Sequence, residues 1–457
     1  MSASWRSDPA RRRLILASGM GVAALPLRAR ASGLQSSGVA GPDAPAVVVV
    51  MLRGAVDGLS VVVPHADPEY RRVRAEIAIP APGSAESASL PLDSGFGLHP
   101  SLARLMPWWQ AGQLAFVHAS GSPDPTRSHF DAQDFMETAT PGRRSTPSGW
   151  LNRLLALSEG EQIRGMNLGT GMPRILSGKA PVGSIAPSPT AIAAGSRQNV
   201  RPGETATVLQ GQALEQLHAT DPASASAWRA LQQSRAAMQH SEQQMKHLRE
   251  MAQTGQGAPA SRMPGRAGAE GAMEGMDPGI AAGALPLTGL SRDAQRLGQL
   301  LRTEPGLQAG FLSLGGWDTH VNQGGVRGAL ANRLRLLGDG LDTLAHSLGP
   351  RLQNTVIVVM SEFGRTVSQN GTQGTDHGHG NVMWLLGGPV KGGRVHGEWP
   401  GLERSALHEG RDLAITTDFR AVLQQVLERH MQLDDRGLQA VLPQGAGRTA
   451  DLDLLRA

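Results

Sequence analysis

Four consecutive valines, Val47–Val50, constrain the fold of this chain more than any other stretch. β-Branched side chains are stiff and pack well on a pleated surface, and an unbroken run of them offers no polar face to water. Such a strand belongs in the middle of a parallel sheet, buried on both faces. Similar short runs recur: LAFVHA at Leu114–Ala119, FLSL at Phe311–Leu314, TVIVVM at Thr355–Met360 and VMWLL at Val382–Leu386. Segments of helical spacing lie between them, including LARLMPWWQ from Leu102 and ALANRLRLLGDGLDTLAHSL from Ala329. The alternation predicts an α/β fold with a mostly parallel, doubly wound sheet.

The predicted domain covers residues 46–457 and follows a Ser/Gly-rich leader at 32–45. It is interrupted by an insertion at about 202–289. Thr205–Met251 is Gln/Ala-rich and reads as one or two long helices, whereas Met251–Gly289 is rich in Gly, Ala, Pro and Met. The latter lacks the apolar content to offset the entropy of ordering, so a mobile linker is expected there.

Residues 1–31 carry six Arg and one Asp, so the remainder of this +4 chain sums to −1. A nearly neutral body has no electrostatic footprint for nucleic acid, and none is expected as a partner. RRRLIL at Arg11–Leu16, an apolar stretch to Leu27 and ARA at Ala29–Ala31 have the layout of an export signal. The twin arginines point to the Tat export machinery, and hence to a periplasmic or secreted protein. The apolar stretch is too short to span a bilayer, so no transmembrane segment is expected.

Each candidate strand is followed by polar residues. Asp57 follows the first, Arg127, Ser128 and His129 the second, Asp318 and His320 the third, and Glu362 and Arg365 the fourth. GTDHGHG, with Asp376, His377 and His379, then leads into the fifth. Ligands of open α/β sheets bind outside the carboxyl ends of the strands, so these segments are expected to meet on one rim. Asp, Glu and His supply oxygen and nitrogen ligands for zinc-like ions. The chain has no Cys, so thiolate ligands and disulfides are excluded. Asp318 with His320, and His377 with His379, are two apart and would face one side of an extended segment. The glycines of GTDHGHG permit unusual angles and a close approach to an ion. A shared site for a divalent metal, foremost zinc with manganese, magnesium or calcium as alternatives, is expected from Asp57, Asp318, His320, Glu362, Asp376, His377 and His379.

The twin-arginine start, GAVDGLSVVVP, RSHFDAQDFMETA, GGWDTH, SEFGRT and GTDHGHGNVMWLLGGPVKGG together resemble an exported bacterial family described as a domain of unknown function. That family is usually grouped with the alkaline phosphatase and sulfatase-like superfamily. The resemblance covers roughly Val47 to Leu427 and implies an alkaline phosphatase-like sheet. It implies a metal-binding acid at Asp57, a nucleophile opening a helix at Ser128, an Asp and His at Asp318 and His320, and a last His at His377 or His379. Where the superfamily has an Asp-His pair, this chain has Glu362 and Phe363. Either one metal is missing, or His379, His129 or Asp376 fills the gap. The implied activity is hydrolysis of a small anionic ester, phosphate or sulfate, with the metal activating Ser128 or a water and Arg127 or Arg365 holding the anion. The formylglycine type of sulfatase is disfavoured, because Ser128 is followed by His-Phe-Asp. Two other classes stand beside it: an exported protein that binds ligand or metal without turnover, and an assembly factor docking through the Gln/Ala-rich helices.

Replacing Arg11, Arg12 and Arg13 by Lys is expected to trap precursor in the cytoplasm, as read by cell fractionation. Undiminished export of that variant would exclude the twin-arginine route.

Overall fold

β1 (Ala46–Leu52) is buried along its whole length, as its apolar run requires. Alternate side chains feed two cores: Val48, Val50 and Leu52 enter one, and Val47, Val49 and Met51 the other. The computed structural model describes residues 43–188 and 284–445, apart from 84, 86, 159, 160 and 170, together with 451–456. The expected export signal at 1–31, the leader up to 42 and the insertion from 202 to 283 lie outside the described residues.

The central sheet adds β2 (Leu114–Gly121), β3 (Gly165–Leu168), β4 (Val182–Ile185), β5 (Ala309–Leu314), β6 (Thr355–Ser361), β7 (Asn381–Leu386), β8 (Arg394–His396) and β9 (Thr417–Asp418). Among the described residues its order is β8-β2-β7-β6-β1-β5-β3-β4, with β9 also paired to β2. β1 pairs in parallel with β5 and β6, Val47 lying opposite both Ala309 and Val356. β7 runs antiparallel to β2 and β6. The sheet is therefore mixed but mostly parallel. Returning in parallel needs a crossover, usually a helix, and the segment 362–380 contains none. The consequence is functional: the carboxyl ends of β1, β2, β5 and β6 share one edge with the amino end of β7.

The helices used below are α1 (Gly58–Val61), α2 (His129–Thr138), α3 (Trp150–Leu155), α4 (Leu290–Thr303), α5 (Ala329–Leu348) and α6 (Phe419–Gln425). Leu297 and Leu301 of α4 and Leu334, Leu337 and Leu341 of α5 cover one face of the sheet. Trp150 and Leu154 of α3 with Phe419 and Val422 of α6 cover the other. The helix expected from Leu102 divides into a 3-10 turn at Pro100–Leu105 and a short α-helix at Met106–Gln110. Pro107 explains the break, because it has no N–H to continue the ladder. No helix among the described residues is long and apolar enough to cross a membrane.

The loop leaving β1 is fixed by an ion pair that water does not reach. Asp57 is fully buried and accepts from Arg74 Nη1 at 2.6 Å and Nη2 at 3.0 Å. Ser60 Oγ and Gln323 Nε2 donate to the same carboxylate, each at 2.7 Å. Arg74 also donates to the carbonyls of Thr366 and Val367, beyond β6. Burial opposes the charge on Asp57, but Arg74 and the hydrogen bonds outweigh it and hold the pKa below the ordinary 3.8. Removing one partner of such a pair strands the other. Asp57→Asn is expected to lower stability by about 3–5 kcal/mol at neutral pH in chemical denaturation. A depressed carboxylate stabilises above its unfolded pKa, and the benefit fades as pH falls through the folded value. The parent–variant gap should accordingly shrink below about pH 4. An unchanged denaturation midpoint in Asp57→Asn would refute this.

Candidate metal centre

Three histidines approach one point with their tautomers set from behind. His129 opens α2, and its Nδ1 lies 2.7 Å from Glu362 Oε1. His320 Nδ1 lies 2.9 Å from Asp376 Oδ1, and His377 Nδ1 lies 3.1 Å from the Arg127 carbonyl. Ionised carboxylates and carbonyls only accept, so each Nδ1 carries the hydrogen and donates it. Each Nε2 is then free to present a lone pair. His377 Nε2 is 2.9 Å from His129 Nε2 and 3.0 Å from His320 Nε2. Asp318 completes the cluster, with Oδ1 3.3 Å from His377 Nε2 and 3.0 Å from His320 Nε2, and Oδ2 3.6 Å from His129 Nε2.

The ligand atoms of His129, Asp318 and His377 all lie within 4.8 Å of one another, and this group could hold a metal ion. His320 stands against that set. Facing lone pairs repel unless a positive charge lies between them. A tetrahedral zinc ion bonded at about 2.0–2.1 Å would set its ligand atoms about 3.3 Å apart. The separations of 2.9, 3.3 and 3.6 Å bracket that value.

The surrounding charges favour a cation. Burial works against ionisation of Asp318, but hydrogen bonds from His129, His320 and His377, with the charge of Arg365, hold its pKa far below the carboxylate range. Glu362 is likewise opposed by full burial, yet His129 and Gln133 bring it down to about 2. Burial disfavours a proton on His129 too, but Asp318 and Glu362 raise it to about 9. A proton on His129 answers the same electrostatic demand that a metal would. For His377, burial prevails and the pKa is lowered.

Behind the cluster, Arg365 donates to Asp318 Oδ1 and to the carbonyls of Gly54, Ala55, Trp317 and Thr375. Its side chain is fully buried, so it faces no solvent. Glu362 accepts from Gly54 N at 2.7 Å and Gln133 Nε2 at 3.0 Å, besides His129. Glu362 and Asp376 thus sit behind histidines, a placement that orients a ligand and raises its basicity. Phe363, at the position where the superfamily has a His, is buried with its ring centroid 4.9 Å from His129 and 5.1 Å from His377.

Other expected site residues fall outside the cluster. Asp57 is engaged by Arg74. His379 does not join His377, because the chain bends at His379 instead of continuing as a strand. Its ring stacks on His408, with centroids 4.2 Å apart, and burial with the neighbouring His408 lowers its pKa to about 4. Ser128 is exposed and caps α2, accepting weakly from Asp131 N at 3.5 Å. Arg127 donates to Glu409 Oε2 at 2.6 Å and Asp412 Oδ2 at 2.7 Å. His129 entered the sequence reading only as a substitute ligand, and Arg74 and Gln133 not at all. A signal existed for two of them: His129 and Gln133 are four apart in RSHFDAQDF, on one helical face, and both reach Glu362.

A family model described as a protein of unknown function (DUF1501) matches residues 44–442, which include every residue of this cluster. The chain belongs to the DUF1501 family. No curated protein matches it.

In this DUF1501 protein the glycines of GTDHGHG serve close approach. A Cβ on Gly374 would lie 2.1 Å from the His320 carbonyl oxygen, and one on Gly378 2.4 Å from the Arg365 backbone. Gly380 would put one 2.7 Å from the Leu413 carbonyl. Backbone cannot yield as a flexible side chain can, so the loop carrying His377 lies flat only while these positions lack side chains. Gly374→Ala is expected to displace the His320 loop and weaken metal uptake by on the order of 10–100-fold, with the circular dichroism spectrum retained. Unaltered uptake in zinc titrations would count against this account of the loop.

Proposed function

We propose that this DUF1501 protein is an exported, metal-dependent hydrolase of small phosphate or sulfate esters. A single divalent ion would be held by His129, Asp318 and His377. The observation that carries the reading is the convergence of these three ligand atoms within 4.8 Å, with Nδ1 of each histidine held by an acceptor. Three protein ligands with a fourth position left for water is the pattern of catalytic zinc sites. Imidazole with carboxylate suits zinc or manganese better than magnesium or calcium, which favour all-oxygen sets. Such an ion, when bound, supplies a nucleophile at neutral pH and polarises the ester oxygen.

The protein's own groups take the remaining roles. His320 is partly exposed and Asp376 holds its Nδ1, so it is placed to carry a proton through Nε2. Ser128 adjoins His129 at the amino end of α2, where helix polarity favours an anion. Arg127 is about one-third exposed and would grip that anion in exchange for Glu409. Arg365, being buried, acts through Asp318. The same edge of a mostly parallel sheet supports an alkaline phosphatase-like relation, but with one metal: Asp57 is tied to Arg74 and Glu362 to His129. Twin-arginine export fits this reading because that route carries folded proteins.

Elemental analysis of purified protein, with a screen of p-nitrophenyl phosphate and sulfate, tests the proposal. His129→Ala and Asp318→Ala are expected to lose stoichiometric metal while keeping the parent's circular dichroism. His320→Ala should keep metal but lose turnover by about 10²–10⁴-fold. Ser128→Ala keeps metal, and surviving turnover would assign attack to water. A parent that neither contains nor takes up metal would defeat the proposal.

A further inference from the structure

Three large apolar side chains stand exposed among the described residues: Phe130 at 50%, Val321 at 59% and Met172 at 46%. Single exposed apolar residues are ordinary on a protein surface. These three are not scattered. Phe130 follows β2, Val321 follows β5 and Met172 follows β3, and those strands end on the one edge that carries the metal cluster. Two adjoin cluster residues directly, Phe130 after His129 and Val321 after His320. The Nε2 atoms of those histidines lie 2.9 and 3.0 Å from the same atom of His377. In α2, successive residues turn by about 100°, so His129 faces inward and Phe130 stands outward beside it. Inside this rim the ring of Phe363 packs on His129 and His377, where a superfamily relative would carry a ligand.

A hydrolase for small, fully polar esters gains nothing from holding Phe and Val in water at the mouth of its site. We infer that the substrate carries a bulky apolar group, aryl or branched alkyl, next to its anionic ester, and that this group seats on Phe130 and Val321. The inference rests on the proposed function and names its substrate class. Met172, farther along the edge, is not needed for contact. Burying part of an aromatic group against these two side chains is expected to strengthen binding by on the order of tenfold.

The test uses two dianions whose carbon–phosphorus bond cannot be hydrolysed, 1-naphthylmethylphosphonate and ethylphosphonate, titrated calorimetrically into zinc-loaded protein at fixed salt. The parent is expected to bind the naphthyl compound about tenfold tighter. The double variant Phe130→Ser/Val321→Ser is expected to bring the two affinities within about threefold, with zinc uptake confirming an intact site. A naphthyl preference that survives in the double variant overturns the inference, as does its absence from the parent. Binding of the parent to phosphatidylcholine vesicles without any naphthyl preference would assign the rim to a membrane surface, and also overturns it. The outcomes separate from those of the proposed function. A parent that takes up no zinc defeats the hydrolase, whereas a naphthyl preference lost in the double variant still supports the rim.

Discussion

The buried guanidinium of Arg365 is the joint on which the arrangement of loops depends. It follows β6, yet its donors reach Gly54 and Ala55 after β1, Trp317 and Asp318 after β5, and Thr375 before β7. One side chain thus fixes four strand-end segments relative to one another. A buried cation is costly unless it is paired and fully hydrogen-bonded, and Asp318 with the carbonyls supplies both conditions. The same pairing fixes the Asp318 carboxylate, so its unshared lone pairs are directed at the histidines. The loop it clamps after β1 is strained: Gly54 lies at φ 112° and Ala55 at φ 60°, a region an alanine rarely enters. That strain persists because Glu362 accepts from Gly54 N while Arg365 binds the next two carbonyls.

Two aspartates on the same edge show how environment divides roles. Asp57 is closed in by Arg74, Ser60 and Gln323, with its charge satisfied and no solvent at the carboxylate. Asp318 keeps about a fifth of its side chain exposed and faces three imidazoles. Both have depressed pKa values, through different partners, so a low pKa alone does not distinguish a ligand from a structural tie. The distinction lies in what remains unsatisfied: hydrogen-bond capacity is filled at Asp57, whereas at the cluster nitrogen lone pairs face one another.

Much of the fold was legible because its long strands are runs of apolar residues, which have few alternatives to burial in a sheet. The segments β3 and β4 were not, since Gly165, Asn167, Gly183 and Ser184 leave their four-residue strands without an apolar signature. The rim was legible as a set of strand-end segments, but not the partners within it. Spacing of two made His377 and His379 look like a pair, and only the bend at His379 separates them. Asp57 looked like a ligand because Arg74, the residue that neutralises it, is 17 positions away and carries no motif. His129 was the reverse case, a ligand candidate set by contact with Glu362, 233 positions distant. Long-range pairing of charges is what local pattern cannot encode.

The antiparallel strand β7 ties these points to the chemistry. Had the chain returned to the sheet in parallel, a helical crossover would have occupied the segment between β6 and β7. Instead 362–380 stays on the sheet edge, with Glu362 and Arg365 at one end and Asp376 and His377 at the other. The segment folds back on itself, pairing Arg365 with His377, and glycines bring it against backbone on both sides. A loop so held orders its side chains without a core of its own. His377 can therefore contact histidines from two other loops while its Nδ1 stays on the Arg127 carbonyl. The topology that breaks the parallel sheet is the one that places a histidine at the centre of the cluster.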